Sequence, residues 1–180
     1  MRVTGGDLGG RSLQCPKGGN VRPTSDKVRQ AVFNMLQSHI ALDDFVVLDA
    51  FCGTGALGFE ALSRGAKKTV FVDKNKKSLD VCKDNASSLG IRDQCVFLQG
   101  DACKVTLNQR FHLVFLDPPY KKNFIAPALQ NLSQQSCFEK DALCVIEMAK
   151  EETLSFDALH VEKEKIYGDT KIIVAQIMSV

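Results

Sequence analysis

Hydrophobic residues fall along this chain in short, nearly continuous runs separated by polar, helix-forming stretches. Five such runs, near 45–50, 69–73, 95–98, 111–117 and 142–147, read as strands buried on both faces. Between them, segments near 56–64, 75–88 and 123–133 carry apolar residues at helical spacing. Upstream, Val28, Ala31, Val32, Met35, Leu36 and Ile40 mark one face of a further helix, with Thr24 or Ser25 placed to cap its first turn. Strands alternating with helices predict an α/β, doubly wound, mostly parallel sheet. The carboxyl end differs: Val161–Tyr167 and Lys171–Ile177 flank Gly168-Asp169-Thr170 as an antiparallel hairpin, which brings the expected strand number to seven. The glycine-rich amino terminus predicts a small β-hairpin arm.

A chain of 180 residues, 44% hydrophobic and 24% charged, is the size of one independent core, so residues 1–180 are expected to form one domain with 1–22 as its arm. No apolar run approaches the roughly 20 residues needed to span a bilayer, and Met1-Arg2-Val3-Thr4-Gly5 lacks the apolar stretch of a signal peptide, so a cytoplasmic protein is expected. Seven cysteines show no C-x-x-C spacing and the three histidines are scattered, which argues against a metal site and for thiols used as small core residues. Charge is uneven. Residues 1–29 hold six basic side chains against two acids, a local +4 that leaves −2 for the remainder of a chain whose net formal charge is +2. A basic arm on a near-neutral body suits a polyanionic partner. The second basic group, Arg64, Lys67, Lys68, Lys74, Lys76 and Lys77, reads instead as helix-capping and solvating charge.

Acids stand at the carboxyl ends of the runs, where ligands bind in open sheets. Phe45–Ala50 is followed at once by Phe51-Cys52-Gly53-Thr54-Gly55-Ala56-Leu57-Gly58, whose glycines fit G-x-G-x-x-G and allow the backbone to turn sharply against a ligand. Asp73 ends the next strand, placed to accept from both hydroxyls of a ribose. That pattern also describes a dinucleotide site. Asp49 argues otherwise, because a carboxylate in the turn approach repels a pyrophosphate but suits the ammonium of a methionine moiety. Asp101, in Gly100-Asp101-Ala102, adds an acceptor for an adenine amino group, and the cofactor that fits all three is S-adenosylmethionine (SAM).

The fourth strand ends in Asp117-Pro118-Pro119-Tyr120. An exocyclic amine on a nucleobase is a poor nucleophile because its lone pair is delocalised into the ring. A carboxylate and a main-chain carbonyl accepting its two N–H bonds favour the pyramidal, reactive geometry, and Asp117 with the carbonyl of Pro118 supplies them. Two prolines stiffen the turn, and Tyr120 offers a face for a flipped-out base. Glu147, ending another apolar strand, is read as support for the Pro119-Tyr120 turn or for a basic residue of the arm.

These motifs together resemble the bacterial 16S ribosomal-RNA guanine-N2 methyltransferases of the RsmD type, over essentially the whole chain. The matching residues are Arg2, Gly5-Gly6, Gly10-Arg11, Arg22-Pro23-Thr24, Asp26-Lys27-Val28-Arg29, Phe33-Asn34, Leu48-Asp49, Phe51, Gly53–Gly58, Glu60–Gly65, Asp117–Tyr120 and Glu147. Asp7-Leu8 departs from the basic and aromatic pair of the family, and Asn75 from a common aspartate. The resemblance implies the Rossmann-like fold of class I SAM-dependent methyltransferases. It implies SAM contacts from Asp49, Phe51, Gly53, Gly55, Asp73, Lys74, Asp101 and Ala102, catalysis at Asp117, Pro118, Pro119 and Tyr120, and RNA contacts from Arg11, Arg22, Thr24, Lys27 and Arg29. The partner it implies is 16S rRNA, free or within a protein-bearing small-subunit particle, met by a monomer. A DNA adenine-N6 or cytosine-N4 methyltransferase would use the same tetrad but needs a recognition domain that the length does not hold. A non-catalytic nucleotide- or RNA-binding module would not need the tetrad.

Overall fold

In a computed structural model, which describes residues 1–15, 25–37 and 40–178, the apolar runs become the centre of one seven-stranded sheet. The elements are α1 (Asp26–Gln37), β1 (Val46–Asp49), α2 (Ala56–Ser63), β2 (Lys68–Asp73), α3 (Lys76–Leu89), β3 (Cys95–Gln99), β4 (Phe111–Leu116), α4 (Ile125–Gln134), β5 (Phe138–Ala149), β6 (Leu159–Tyr167) and β7 (Thr170–Ile177). The strand order is β3-β2-β1-β4-β5-β7-β6, parallel except for β7, which runs antiparallel to β5 and β6. Both faces are covered. Phe33, Leu36, Phe59, Leu62 and Leu79 from α1, α2 and α3 pack one face, and Ile125, Leu129 and Leu132 from α4 pack the other. Covering on both sides is why β1 and β4 tolerate no polar alternation.

Strand order reverses between β1 and β4, which opens a crevice at their carboxyl ends. Asp49 is in register with Phe115, so the tetrad begins just past the level of Asp49 on the adjacent strand. The strand near 142–147 extends further than its apolar run, to Phe138–Ala149. Its first residues, Phe138-Glu139-Lys140-Asp141, are half-buried or exposed. A register shift opposite Phe111/Leu113 and a left-handed Asp141 (φ 62°) mark a bulge there that hydrophobicity does not encode.

The arm is a rudimentary hairpin: a single bridge, Arg2 to Ser12, with Val3 N donating to Arg11 O at 3.0 Å and Gly10 N to Val3 O at 2.9 Å. Val3 and Leu13 bury it against the helical face. Gly6 must be glycine, because it is left-handed (φ +72°) and a Cβ there would lie 1.8 Å from Ser63 O. Ser25 Oγ accepts from Val28 N at 3.2 Å and caps α1, while Thr24 lies outside the described residues. Among the described residues, no helix is long and apolar enough to cross a membrane.

Candidate active site

The glycine loop is built by the acids around it. Asp49 is 2% exposed, and its Oδ2 accepts from Gly58 N at 3.0 Å. Burial raises its pKa to about 7, the charge of Asp73 adds to the rise, and the Gly58 N–H opposes it. Asp73 holds the loop from the neighbouring strand: Oδ2 accepts from Gly53 N at 2.8 Å and Oδ1 from Asn75 N at 2.7 Å. A carboxylate offers about four lone-pair sites, so acceptor capacity remains toward a ligand. Gly55 is left-handed (φ +86°), and a Cβ on it would lie 2.4 Å from Phe59 and 2.5 Å from Cys82 Sγ. The departure at Asn75 has a local role, since its side chain caps α3 by accepting from Lys77 N at 2.9 Å. Asp101 accepts from Cys103 N at 3.0 Å and meets Lys74 Nζ at 3.5 Å. First the Cys103 N–H, then the ammonium of Lys74, keep its carboxyl below the usual range.

Across the crevice, Asp117 is half-buried, Pro118 buried, Pro119 exposed and Tyr120 half-buried. The tyrosine hydroxyl donates to Glu147 Oε1 at 2.6 Å and lies 2.8 Å from Thr170 Oγ1. Burial, then the Glu147 carboxylate, push the phenol well above its usual pKa, so it stays neutral and donating. Glu152 fixes the next residue. Its two oxygens accept from Lys121 N at 3.1 Å and Ala149 N at 2.8 Å, and Lys121 is held left-handed (φ 59°).

These groups meet. Asp49, Gly53, Asp73, Asp101, Asp117 and Tyr120 line one cleft of about 1160 Å³, more than the roughly 300–1,000 Å³ of a site for one small ligand. Phe51, Lys74, Ala102, Pro118 and Pro119 line it as well, whereas Gly55 is not in the lining. The donor set fits SAM: a buried carboxylate for the ammonium, a strand-end acid for the ribose, and an acid beside an apolar wall for the adenine.

The basic residues divide. Lys27 is exposed on the cleft wall. Arg11 is exposed on the arm, away from the cleft lining, and donates to Ser88 O at 2.8 Å. Arg22, like Thr24, lies outside the described residues. Arg29 is corrected: its side chain is fully buried, bonded to Asp26 at 2.8 Å, to Glu60 at 3.4 Å and to Arg2 O, and no RNA phosphate reaches it. Its place on the inner face of α1 follows from spacing, since it lies three and four residues before the buried Val32 and Phe33. Arg64 belongs to the same knot and is not a solvating charge. It lies 2.8 Å from the buried Glu60, with its guanidinium 5.0 Å over the ring of Phe33. Thr4 joins through N and Oγ1, both 2.7 Å from Glu60, so one buried acid ties arm, α1 and α2 together.

Among the cleft residues that the sequence did not reveal are Phe124, Ile166, Tyr167 and Thr170. Phe124 stacks on Phe51 with centroids 6.2 Å apart, four residues after Tyr120, a spacing that carries no signal of its own. The other three reach the cleft only because β7 pairs with β5.

The family model described as conserved hypothetical protein 95 matches residues 1–176. A curated relative, ribosomal RNA small subunit methyltransferase D of Haemophilus influenzae, is 35% identical over 159 residues, covering 86% of this chain and 81% of its own. The chain belongs to the RsmD family. Solved structures share the fold of this RsmD-family chain. The Escherichia coli protein yhhF superposes with a TM-score of 0.88 at 24% identity, over 100% of this chain and 99% of its own. An RNA methyltransferase from Salinibacter ruber, in complex with S-adenosyl-L-homocysteine, gives 0.65 at 16% identity over 88% and 95%. The sheet and its helices thus share the Rossmann-like α/β fold of these structures.

Proposed function

We propose that this RsmD-family chain methylates the N2 amine of a guanine in 16S rRNA, using SAM. The observation that carries this reading is the meeting of two acid sets, Asp49, Asp73 and Asp101 with Asp117–Tyr120, in one cleft. Kinship with enzymes named rRNA small subunit methyltransferases supports SAM-dependent methylation of the small-subunit RNA. Bound SAM supplies a methyl group on a sulfonium, and the chain does the rest. Asp117 and the Pro118 carbonyl accept hydrogen bonds from the two amine N–H groups and aim the lone pair. The amine nitrogen would take the methyl group of bound SAM, which would leave as the neutral thioether, and the proton then shed by the methylated amine would pass to solvent. No strong base is needed, only orientation and a negative charge beside a nitrogen that becomes cationic.

The tetrad suits any exocyclic amine of a base, because Asp117 offers acceptors and Pro118 and Pro119 have no N–H to donate. The choice of guanine over the adenine or cytosine of a DNA enzyme follows the RsmD-type resemblance. With ribosomal RNA as substrate, the working compartment is the cytoplasm, the unit a monomer of one domain, and the substrate either free RNA or a protein-bearing particle. Sedimentation and parallel assays on both substrates test those points.

Asp117→Ala tests the site. Single-turnover methyl transfer to 16S rRNA should fall about 100-fold or more while SAM affinity is unchanged, the size of a lost transition-state stabiliser. Normal transfer by folded Asp117→Ala protein would remove the tetrad from catalysis, and methylated adenine or cytosine in the product would overturn the guanine assignment.

A further inference from the structure

We propose that the β6–β7 turn is a second RNA-holding wall of the cleft, with Ile166 packing against a nucleotide next to the target base. The proposal rests on the RNA-methylation reading above. Among the described residues, four large apolar side chains stand exposed: Phe124 (36%), Val161 (51%), Ile166 (57%) and Met178 (51%). Single exposed apolar residues are ordinary. Two of these four, Phe124 and Ile166, line the same cleft as Asp117 and Tyr120, and that convergence is not scatter.

The turn is held rigidly at the tetrad. Tyr167 and Thr170 pair across Gly168 (φ +63°) and Asp169, and Thr170 Oγ1 lies 2.8 Å from the Tyr120 hydroxyl. On its outer side, Lys150 bonds Asp169 at 2.8 Å and Lys171 Nζ donates to Glu152 O at 2.9 Å. Because Glu152 also holds Lys121, the turn and the tetrad form one braced unit. The braced turn therefore keeps Ile166 at a fixed position in the cleft that Tyr120 also lines.

Charge around the site selects the occupant. Lys27 in the cleft lining, and Lys121, Lys122 and Lys165 outside it but next in the chain to Tyr120 and Ile166, are all exposed, whereas the acid of the turn, Asp169, is paired with Lys150. Isolated apolar groups set among cations fit a strand of RNA, whose phosphates meet lysines while unstacked bases offer apolar faces. Apolar side chains of this kind also wedge between bases where a nucleotide has been drawn out.

The experiment uses the full chain with Ile166→Ala, Ile166→Asp and, as a control on the same strand, Val161→Ala, which is equally exposed but outside the cleft lining. Fluorescence anisotropy with a 16S rRNA fragment reads binding, single-turnover transfer reads activity, and SAM titration with a thermal melt reads the rest of the fold. RNA affinity should fall about 10-fold for Ile166→Asp, within the range of one lost base contact, and less for Ile166→Ala. Val161→Ala should match the wild type, and SAM affinity and melting temperature should not move. Wild-type RNA affinity in both Ile166 variants would overturn the proposal, as would an equal loss in Val161→Ala. If the wild type transfers no methyl group to RNA but Ile166→Asp still loses RNA binding, the activity reading falls and the wall stands.

Discussion

Asp49 makes SAM binding depend on pH in a way that can be calculated. Its carboxyl is 2% exposed with a pKa raised to about 7, so the free protein holds it largely protonated below neutrality. An ammonium ligand pairs with the ionised form, and binding must release the proton. Apparent affinity then varies with the ionised fraction: about 10-fold per pH unit well below 7, and about 50-fold in total between pH 5 and pH 7. Above roughly 7.7 a ligand α-amino group loses its own charge, so affinity should pass through a maximum just above neutrality. Stability without ligand runs the other way. A carboxyl whose folded pKa lies above its unfolded value binds protons more tightly when folded, so the fold gains from it at low pH and loses that gain as pH rises from about 4 to 7. Calorimetric titration with SAM at pH 5, 6 and 7, in two buffers of different ionisation enthalpy, measures both affinity and protons released. Asp49→Asn should bind weakly at every pH and flatten the acid limb. An acid limb that survives in Asp49→Asn, or a wild type with constant affinity between pH 5 and 7, would refute the assignment of the ammonium to Asp49.

Asp73→Ala should weaken SAM binding by roughly 1.5–3 kcal/mol, the worth of hydrogen bonds to a charged acceptor, and calorimetry on the folded variant checks it. Arg29→Ala should cost stability, because breaking a buried ion pair costs about 3–5 kcal/mol. Glu60 keeps Arg64 at 2.8 Å, so the lower end applies, seen as a melting temperature about 6–12 °C lower. RNA salt dependence should persist in that variant, whereas Arg11→Ala should reduce the slope of log affinity against log salt by about 0.7–0.9 if the arm meets a phosphate. Glu152→Ala frees the amides of Lys121 and Ala149 and should slow methyl transfer about 10- to 100-fold with SAM affinity intact, as a misplaced reacting group does.

Legibility in the sequence followed the range of the interactions. The buried strands and the helices between them were plain because hydrophobicity in a covered parallel sheet is continuous, and β1, β2, β3 and β4 lie within a residue or so of their apolar runs. The glycine loop was plain because steric demands at Gly55 and Gly58 are local: a Cβ at Gly58 would lie 2.3 Å from Phe71. Arg29 misled because its charge was visible and its partner was not. Its spacing to Val32 and Phe33 puts Arg29 on the inner face of α1, but Glu60 stands 31 positions away and no local pattern pairs the two. The same holds for Thr170 and Ile166, which enter the site through an antiparallel pairing fixed by the whole sheet. The long start of β5 escaped because a bulged strand with polar residues lacks the period of a strand.

The tetrad turn explains why so much of the carboxyl-terminal half is spent bracing it. Pro118 and Pro119 fix φ but remove two backbone donors, so the turn cannot be tied down by main-chain bonds at the positions that face the substrate. Anchors must come from its far end and from side chains. Tyr120 supplies a hydroxyl to Glu147 and Thr170, and Lys121 supplies the nearby N–H that Glu152 takes. In the proposed site, Asp117 and the Pro118 carbonyl are the acceptors assigned to the amine, and the bracing bonds made by Tyr120 and Lys121 come after them in the chain. The proposed cofactor side is arranged in the opposite sense: Asp49 and Asp73, the acids proposed to meet the ligand, also hold the loop, through Gly58 N and Gly53 N. Changing a carboxylate on that side should therefore disturb ligand and loop together. On the tetrad side, Glu147 and Glu152 affect geometry and Asp117 the chemistry, so the two kinds of variant should separate in a plot of transfer rate against SAM affinity.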